Sequence, residues 1–176
     1  MNLLLRTAIC TVILMGTGCA ARQDASTAFS DAMCESGTPQ LHAAMTPERH
    51  YQAMRACVRD QNMELATLHF ALAGTGTWYE NQVRPNEINH KRHHDLIKHA
   101  LTSLTAIEVE QAWQFFSSKL NEKEKLEQVC SYIDEVGGMK RLTQRFDDIA
   151  WQNAREGYLH CSGKVSDDDN DVVKKA

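Results

Sequence analysis

The segment from Met63 to Ala73, MELATLHFALA, constrains the fold more strongly than any other part of the chain. Nearly every position carries an apolar or small residue, namely Leu65, Ala66, Leu68, Phe70, Ala71, Leu72 and Ala73. A helix with hardly any polar face has to be surrounded by other helices. We therefore predict that this helix, capped by Asn62, forms the centre of the core, and that His69 is a buried neutral histidine that donates to one neighbour.

Helical patterns continue on both sides of this segment. Thr46-Pro47-Glu48 is typical of a helix start, because Thr can cap, Pro suits the first helical position and Glu is favoured near the positive end of the helix dipole. Gly74 and Gly76 are predicted to weaken or end the central helix. Further helices are predicted over 28–35, from Asn86 to Leu104, from Thr105, from Asn121 to Gly137-Gly138, and from Met139 to Cys161 with a break at Asp147-Asp148. No segment alternates like a strand, so we predict a compact all-α bundle of about six helices.

The N-terminal stretch has the layout of a secretory signal peptide. A short polar start with Arg6 precedes an apolar run over 8–15 and small residues over 16–21. The apolar run is too short to span a bilayer as a helix, so we expect the chain to be exported. Two cleavage sites remain open, one before Cys19 and one after Ala21, and we favour the first, which makes residues 1–18 the signal peptide.

Three segments are expected after the signal peptide. Small and polar residues over 19–28 suit a tether, residues 29–161 carry the helical patterns, and residues 162–176, SGKVSDDDNDVVKKA, suit a disordered acidic tail. The spaced aspartates of the tail do not complete a calcium-binding loop, because Val172 stands where that loop needs glycine. We therefore predict a solvated tail.

Four cysteines remain in the predicted helical domain, an even number in a compartment that favours disulfides. They are Cys34, Cys57, Cys130 and Cys161. Two disulfides allow three connectivities, and we favour Cys34–Cys57 with Cys130–Cys161 because each pair then joins neighbouring helices. A zinc site is the alternative, although the sequence has no Cys-x-x-Cys spacing.

The residues around the first cleavage site resemble the lipobox of bacterial lipoproteins. They are Gly18-Cys19-Ala20, preceded by Gly16 where Leu is usual. The resemblance implies that Cys19 becomes an acylated N-terminal residue, and Ala20 in place of Asp implies the outer membrane. We therefore expect a lipid-anchored protein on the periplasmic face of the outer membrane, with no membrane contact other than the anchor.

The region 47–79 resembles a tetratricopeptide or Sel1-like helical hairpin. The resemblance depends on LATLHFALAG, in which Ala66, Phe70 and Ala73 repeat the small-aromatic-small pattern of the second helix of such repeats. The first helix lacks the usual Trp and Leu-Gly pair, and no second copy follows. The resemblance therefore implies one degenerate hairpin within a bundle rather than a solenoid.

The chain as a whole resembles small cysteine-containing envelope lipoproteins of Gram-negative bacteria, on the lipobox, the ALAG helix and AWQNAREGYLHC at 150–161. Some such proteins are immunity proteins that bind and block toxins delivered into the periplasm by contact-dependent or type VI secretion. The resemblance implies a partner that is another periplasmic or secreted protein, and a structural accessory of envelope assembly is the alternative. The formal charge of −4, without a basic stripe, argues against nucleic acid as a partner.

Four of the eight histidines lie in EINHKRHHDLIKHALTSL, residues 87–104. On a helix, His90 and His94 share one stripe and His93 starts the adjacent stripe, so the three extend an apolar face. A metal-binding envelope protein that uses His90, His93 and His94 is therefore an alternative function. The two cationic residues between them would repel a metal ion and no HExxH motif is present. We favour half-buried histidines and expect no metal or other cofactor.

Trp78 and Tyr79, beside the glycine-containing segment, are the predicted partner-binding residues, because exposed aromatic side chains often anchor interfaces. Their alternative role is to close the core. AGTGT at 73–77 lacks the Gly-Lys-Ser/Thr of a phosphate loop, and no Gly-x-Ser-x-Gly elbow occurs. We therefore predict a protein-binding protein rather than an enzyme, with no catalytic residue set.

Overall fold

The computed structural model describes Cys34, residues 38–143 and residues 145–161. This part of the chain contains seven helices and no strand, which confirms the predicted all-α fold. The helices are α1 (Pro39–Ala43), α2 (Pro47–Arg59), α3 (Met63–Val83), α4 (Glu87–Thr102), α5 (Ala106–Asn121), α6 (Lys123–Thr143) and α7 (Asp148–Leu159). None of them is long and apolar enough to cross a membrane. The predicted signal peptide, tether and acidic tail, and all of the predicted helix over 28–35 except Cys34, lie outside the described residues.

Helix α3 is the centre of the bundle, as its sequence predicts. It contacts α2, α4, α5, α6 and α7, most extensively α2 and α7. Its side chains are buried on all sides over Ala66–Thr75, apart from the partly buried Leu68. Asn62 caps its start, accepting the Leu65 N–H at 3.3 Å. A helix surrounded in this way stabilises the fold through packing rather than through its own propensity.

Apolar side chains form two main clusters on opposite flanks of α3. One cluster joins α2, α3, α4 and α5, where Phe70 stacks on Phe116 with ring centroids 5.0 Å apart. The second joins α1, α3, α6 and α7 around Leu72, Ile133 and Trp151. Because both clusters share α3, the two halves of the bundle pack against a common helix.

Two disulfides join the predicted pairs of cysteines. Cys34 is bonded to Cys57 of α2, with Cα atoms 5.4 Å apart. Cys130 of α6 is bonded to Cys161, which follows α7, with Cα atoms 5.8 Å apart. The favoured connectivity is therefore confirmed, and the second bond holds the end of α7 against the middle of α6.

Gly74 and Gly76 do not end the central helix, which was one of the two predicted alternatives, because α3 continues to Val83. A Cβ on Gly74 would lie 1.9 Å from Cε1 of Tyr158 in α7. A Cβ on Gly76 would lie 3.0 Å from Cγ of Pro47 in α2. The missing side chains let two neighbouring helices approach α3, and tertiary packing overrides the low helix propensity of glycine.

The predicted stop at Gly137-Gly138 is also wrong, because α6 continues to Thr143. A Cβ on Gly137 would lie 2.5 Å from Nε1 of Trp151, so this glycine admits the indole of α7. The helix predicted from Met139 to Cys161 is divided near its predicted break at Asp147-Asp148, and its first residues belong to α6. Asp147 caps α7 by accepting the Ala150 N–H at 2.9 Å.

The other predicted helix ends are close to the observed ones. Asn121 ends α5 instead of capping α6, which starts at Lys123. Thr105 forms a capping box with Glu108, accepting the Glu108 N–H while the Glu108 carboxylate accepts the Thr105 N–H. Such a cap stabilises a helix by roughly 1 kcal/mol.

The neighbouring glycines of α6 provide a matched test of this packing. We expect Gly137→Ala to lower the free energy of unfolding by about 1–2 kcal/mol, because overpacking against buried Trp151 exceeds the gain in helix propensity. A methyl group on Gly138 would have no neighbouring atom within 4 Å. Gly138→Ala should therefore raise the free energy of unfolding by up to about 1 kcal/mol. Urea unfolding followed by circular dichroism measures both, and equal effects would contradict the prediction.

Candidate functional site

A cleft of about 1110 Å³ lies where the end of α3 meets α4 and the connection between α6 and α7. We call it the Tyr79 cleft. Its walls include Tyr79, Glu80 and Val83 of α3, Arg84 and Asn86 of the α3–α4 connection, Arg92 of α4, and residues 145–149. The cleft therefore exists because α3 runs past its glycines for two further turns.

Aromatic packing holds the α6–α7 connection over the end of α3. Tyr79 stacks on Phe146 with ring centroids 5.2 Å apart, and it meets the edge of Trp151 at 5.6 Å. The Tyr79 hydroxyl also accepts the Asp147 N–H at 3.1 Å. Tyr79 thus combines an aromatic contact with a hydrogen bond to the residue that caps α7, so one wall of the cleft is fixed by this side chain.

Ion pairs hold the opposite wall. The Arg92 guanidinium contacts the carboxylates of Glu48 in α2 and Glu80 in α3, the latter at 2.7 Å. Burial raises the pKa of Glu80 despite the neighbouring Arg92. Burial also opposes ionisation of Glu48, but the hydrogen bonds that its carboxylate accepts and the charge of Arg92 together outweigh that effect, so the pKa of Glu48 is lowered. One guanidinium therefore ties α4 to both α2 and α3.

The rim of the cleft is partly apolar. Ile149 is 74% exposed and Val83 is 40% exposed. Arg145 is exposed beside them on the α6–α7 connection. Asp148 lines the cleft and forms an ion pair with Arg141, which lies outside it. The exposed surface of the cleft thus combines aliphatic side chains with both guanidinium and carboxylate groups.

The structure separates the two predicted partner-binding residues. Tyr79 lines the cleft, whereas Trp78 points toward α7, where its ring lies 6.0 Å from that of Tyr158. A Cβ on Gly157 would lie 2.6 Å from Cζ3 of Trp78, so the indole covers that glycine. Trp78 remains 38% exposed. Adjacent helical residues point about 100° apart, which explains why these two do not form one patch.

The structure also separates the described histidines of α4. The hydroxyls of Tyr51 and Thr77 lie 2.9 and 3.2 Å from His93 Nδ1, which places this half-buried ring against α2 and α3. His94 is exposed next to Asp95, and the side chain of His90 lies outside the described part. Burial, and to a smaller extent His94, lowers the pKa of His93. Among the described residues, no group of three or more His, Cys, Asp or Glu side chains is arranged to hold a metal ion.

A different histidine cluster lies in the core, and of its members the sequence predicts only His69 to be buried. His42, His50 and His69 come from α1, α2 and α3, and all three are buried. The Nδ1 atoms of His50 and His69 are 3.0 Å apart, and His50 Nε2 lies 3.2 Å from the His42 carbonyl oxygen. The Tyr132 hydroxyl of α6 lies 2.6 Å from His42 Nδ1. The cluster therefore joins four helices.

The hydrogen bonds of the cluster fit neutral imidazoles. If His50 donates its Nε2–H to the His42 carbonyl, its Nδ1 is free to accept the Nδ1–H of His69. Burial lowers the pKa of His42 to about 4, and burial together with the neighbouring histidines lowers the pKa of His50 well below its ordinary value. Nearby Lys140, whose pKa is lowered by burial, donates to the Ala43 carbonyl at 2.9 Å. The arrangement is structural, because each charged form would be costly here.

The sequence contains a pattern that predicts burial of a second member of this cluster, His50. His50 lies on the same stripe of α2 as Met54, Cys57 and Val58, at helical spacings of four, seven and eight residues. That position predicts burial, but the sequence has no local pattern that brings α1 to the same place.

Comparisons with protein-family models, with curated proteins and with solved structures found no match for this chain. The resemblances to envelope lipoproteins and to tetratricopeptide or Sel1-like hairpins therefore stay predictions.

Proposed function

We propose that this protein is a protein-binding module of the bacterial envelope, anchored through Cys19 on the periplasmic face of the outer membrane. Its partner is another periplasmic or secreted protein, which it contacts through the Tyr79 cleft. The observation that supports this most directly is the composition of the cleft. An aromatic wall, guanidinium groups and exposed aliphatic residues at one concave surface are the groups enriched where proteins bind each other.

The polar groups of the cleft favour recognition over acid–base catalysis. Glu80 is paired with Arg92, Asp148 with Arg141, and the Asp147 carboxylate accepts the Ala150 N–H. These carboxylates already have structural partners within the described residues. A general acid or base, in contrast, needs a titratable group directed at the substrate.

The finer proposal is that the protein is an immunity protein that blocks a delivered toxin. Both walls of the cleft are held by interactions between different helices, so binding requires little rearrangement of this protein. A preorganised cleft suits tight occlusion of a partner's loop. An accessory role in envelope assembly uses the same surface, and the identity of the partner distinguishes the two roles.

Site-specific cross-linking in cells tests the contact surface. Ile149 and Ile107 are the same residue type with nearly equal exposure, 74% and 70%, but Ile107 lies outside the cleft at the start of α5. A photo-reactive residue, benzoylphenylalanine, is placed at either position in the full chain. We expect one protein to be cross-linked at position 149 at least about tenfold more than at position 107.

The cross-linked protein is then identified by mass spectrometry, purified and titrated against the full chain. Ile149→Asp should weaken its binding by about 2 kcal/mol, because a charge replaces an apolar contact, while Ile107→Asp should leave it unchanged. A hydrolase or pore-forming protein supports the immunity role, and several envelope-assembly components support the accessory role. Equal cross-linking at positions 149 and 107 would contradict the proposed contact surface.

A further inference from the structure

The residues that line the Tyr79 cleft carry as many cations as carboxylates, although the whole chain has a formal charge of −4. The carboxylates of the lining are those of Glu80, Asp147 and Asp148. The cations of the lining are those of Arg84, Arg92 and Arg145. A preference of the cleft for acidic groups of a partner therefore depends on a cation that has no carboxylate partner among the described residues, and not on an excess of cations.

Most of these charges already serve the fold. Arg92 joins Glu48 and Glu80, and the Lys140 ammonium donates to the carbonyls of Ala43 and Met45. Arg141 is the partner of Asp148. These groups shape the cleft, but a ligand would have to displace an existing contact to bind them.

Arg145 differs from these cations. Its side chain is exposed in the cleft wall, and no ion pair joins it to a residue that the structure describes. It is carried on the α6–α7 connection between Phe146, which packs on Tyr79, and the end of α6. A guanidinium on an anchored segment can form two parallel hydrogen bonds to one carboxylate.

Exposed apolar side chains line the same cleft as Arg145. Ile149 and Val83 are both on the rim of the cleft and are both exposed for a large part of their surface. A segment that binds here therefore gains from covering aliphatic groups as well as from pairing with the guanidinium. A cleft of about 1110 Å³ accommodates a segment of several residues rather than one side chain.

From these observations we infer that the Tyr79 cleft recognises an acidic peptide segment of its partner, in which an Asp or Glu adjoins an apolar side chain. Arg145 receives the carboxylate, and Ile149 with Val83 receives the apolar side chain. This inference rests on the proposed function, because it specifies what part of a protein partner the cleft binds.

Selection from a random twelve-residue peptide library tests this inference and does not require the partner to be identified first. The full chain is the bait, and an Arg145→Glu variant removes sequences that bind elsewhere. We expect the enriched peptides to carry Asp or Glu within two positions of Leu, Ile or Phe. Arg145→Glu should weaken binding of a synthetic peptide from this set by about tenfold, because a favourable pair becomes a repulsive one.

Two controls identify the role of the charge at this position. Lys123 is exposed at the start of α6, outside the cleft, so Lys123→Glu changes the net charge by the same amount and should leave peptide affinity unchanged. Replacing the peptide's acidic residue by Lys should weaken binding to the original protein and restore it to the Arg145→Glu variant. Such restoration requires the two groups to be close to each other in the complex.

The peptide selection and the cross-linking distinguish failure of the acidic-segment inference from failure of the proposed function. Neutral or basic enriched peptides, an unchanged affinity of Arg145→Glu, or no enriched peptide that depends on Arg145 would each overturn the acidic-segment inference. Preferential cross-linking at Ile149 would still support a protein contact at the cleft. Equal cross-linking at Ile149 and Ile107 would instead reject the contact surface itself.

Discussion

Replacing Cys130 and Cys161 together by Ser is expected to lower the free energy of unfolding by about 3–4 kcal/mol. The bond joins residues separated by 31 positions, and a loop of that length loses substantial conformational entropy in the unfolded chain when it is closed. In the folded protein the same bond holds the C-terminal end of α7 against α6. Urea unfolding of the oxidised protein and of the double variant, followed by circular dichroism, gives the difference directly.

The other disulfide provides the control for this prediction. Cys34 and Cys57 are separated by 23 positions, so the loop-closure argument predicts an effect of roughly the same size for Cys34→Ser with Cys57→Ser. In a background where Trp78 and Trp113 are replaced by Phe, fluorescence of Trp151 of α7, which packs in the cluster with α3 and α6, reports on the C-terminal half of the bundle. A loss below about 1 kcal/mol for the Cys130 and Cys161 variant would show that packing alone holds α7 in place.

Acidification is expected to destabilise the protein through the histidine cluster. The pKa of His42 is lowered by burial from 6.5 to about 4, and the pKa of His50 is lowered in the same direction. Between about pH 4 and pH 6.5 the unfolded chain binds protons that the folded protein does not bind, so the free energy of unfolding rises with pH. The contribution of neutral His42 is complete above about pH 6.5 and is lost as the pH falls to about 4. It amounts to on the order of 2–3 kcal/mol.

The groups around the cluster also favour neutral imidazoles over protonated ones. His50 and His69 face His42 from α2 and α3, and Tyr132 faces it from α6. The Lys140 ammonium of α6 and the two other imidazoles act on His50, where they oppose a proton. The charged form of His50 is therefore opposed by both burial and repulsion, and that of His42 by burial.

The slope of stability against pH measures this effect without depending on the absolute stability of a variant. His42→Asn should reduce the slope between about pH 6 and 4.5 by up to about 1.4 kcal/mol per pH unit, the value for one proton. His99 is exposed on α4 and is not part of the buried cluster. His99→Asn is the matched control and should keep the original slope. An identical slope in both variants would contradict the role of His42.

The all-α fold, the central position of α3 and the pairing of the cysteines were predictable because each depends on a local pattern. The apolar residues over 63–73 leave hardly any polar face, so this helix requires neighbouring helices whatever their identity. Thr105 and Glu108 carry a capping pattern within four residues, and the structure contains that capping box. The disulfides follow from cysteines placed in helices that are neighbours in sequence.

Features that depend on a distant part of the chain were not predictable in this way. Gly74 and Gly137 look like helix ends until Tyr158 and Trp151 are placed against them. The histidine cluster and the cleft are likewise formed by residues that are distant in sequence. Tyr79 is a predicted contact residue, but its stacking partner Phe146 lies 67 positions later and carries no signal that connects the two.

The order of the cysteines has a consequence for how the protein is made. Each native bond joins a cysteine to the next one in the folded domain, so a chain that reaches an oxidant N-terminus first presents Cys57 to Cys34 before Cys130 has arrived. The second pair then meets no competing free thiol from the first. On the lipoprotein prediction, acylation also withdraws the Cys19 thiol. If the chain is exported as predicted, oxidation in the order of emergence produces the native connectivity without any reshuffling of disulfides.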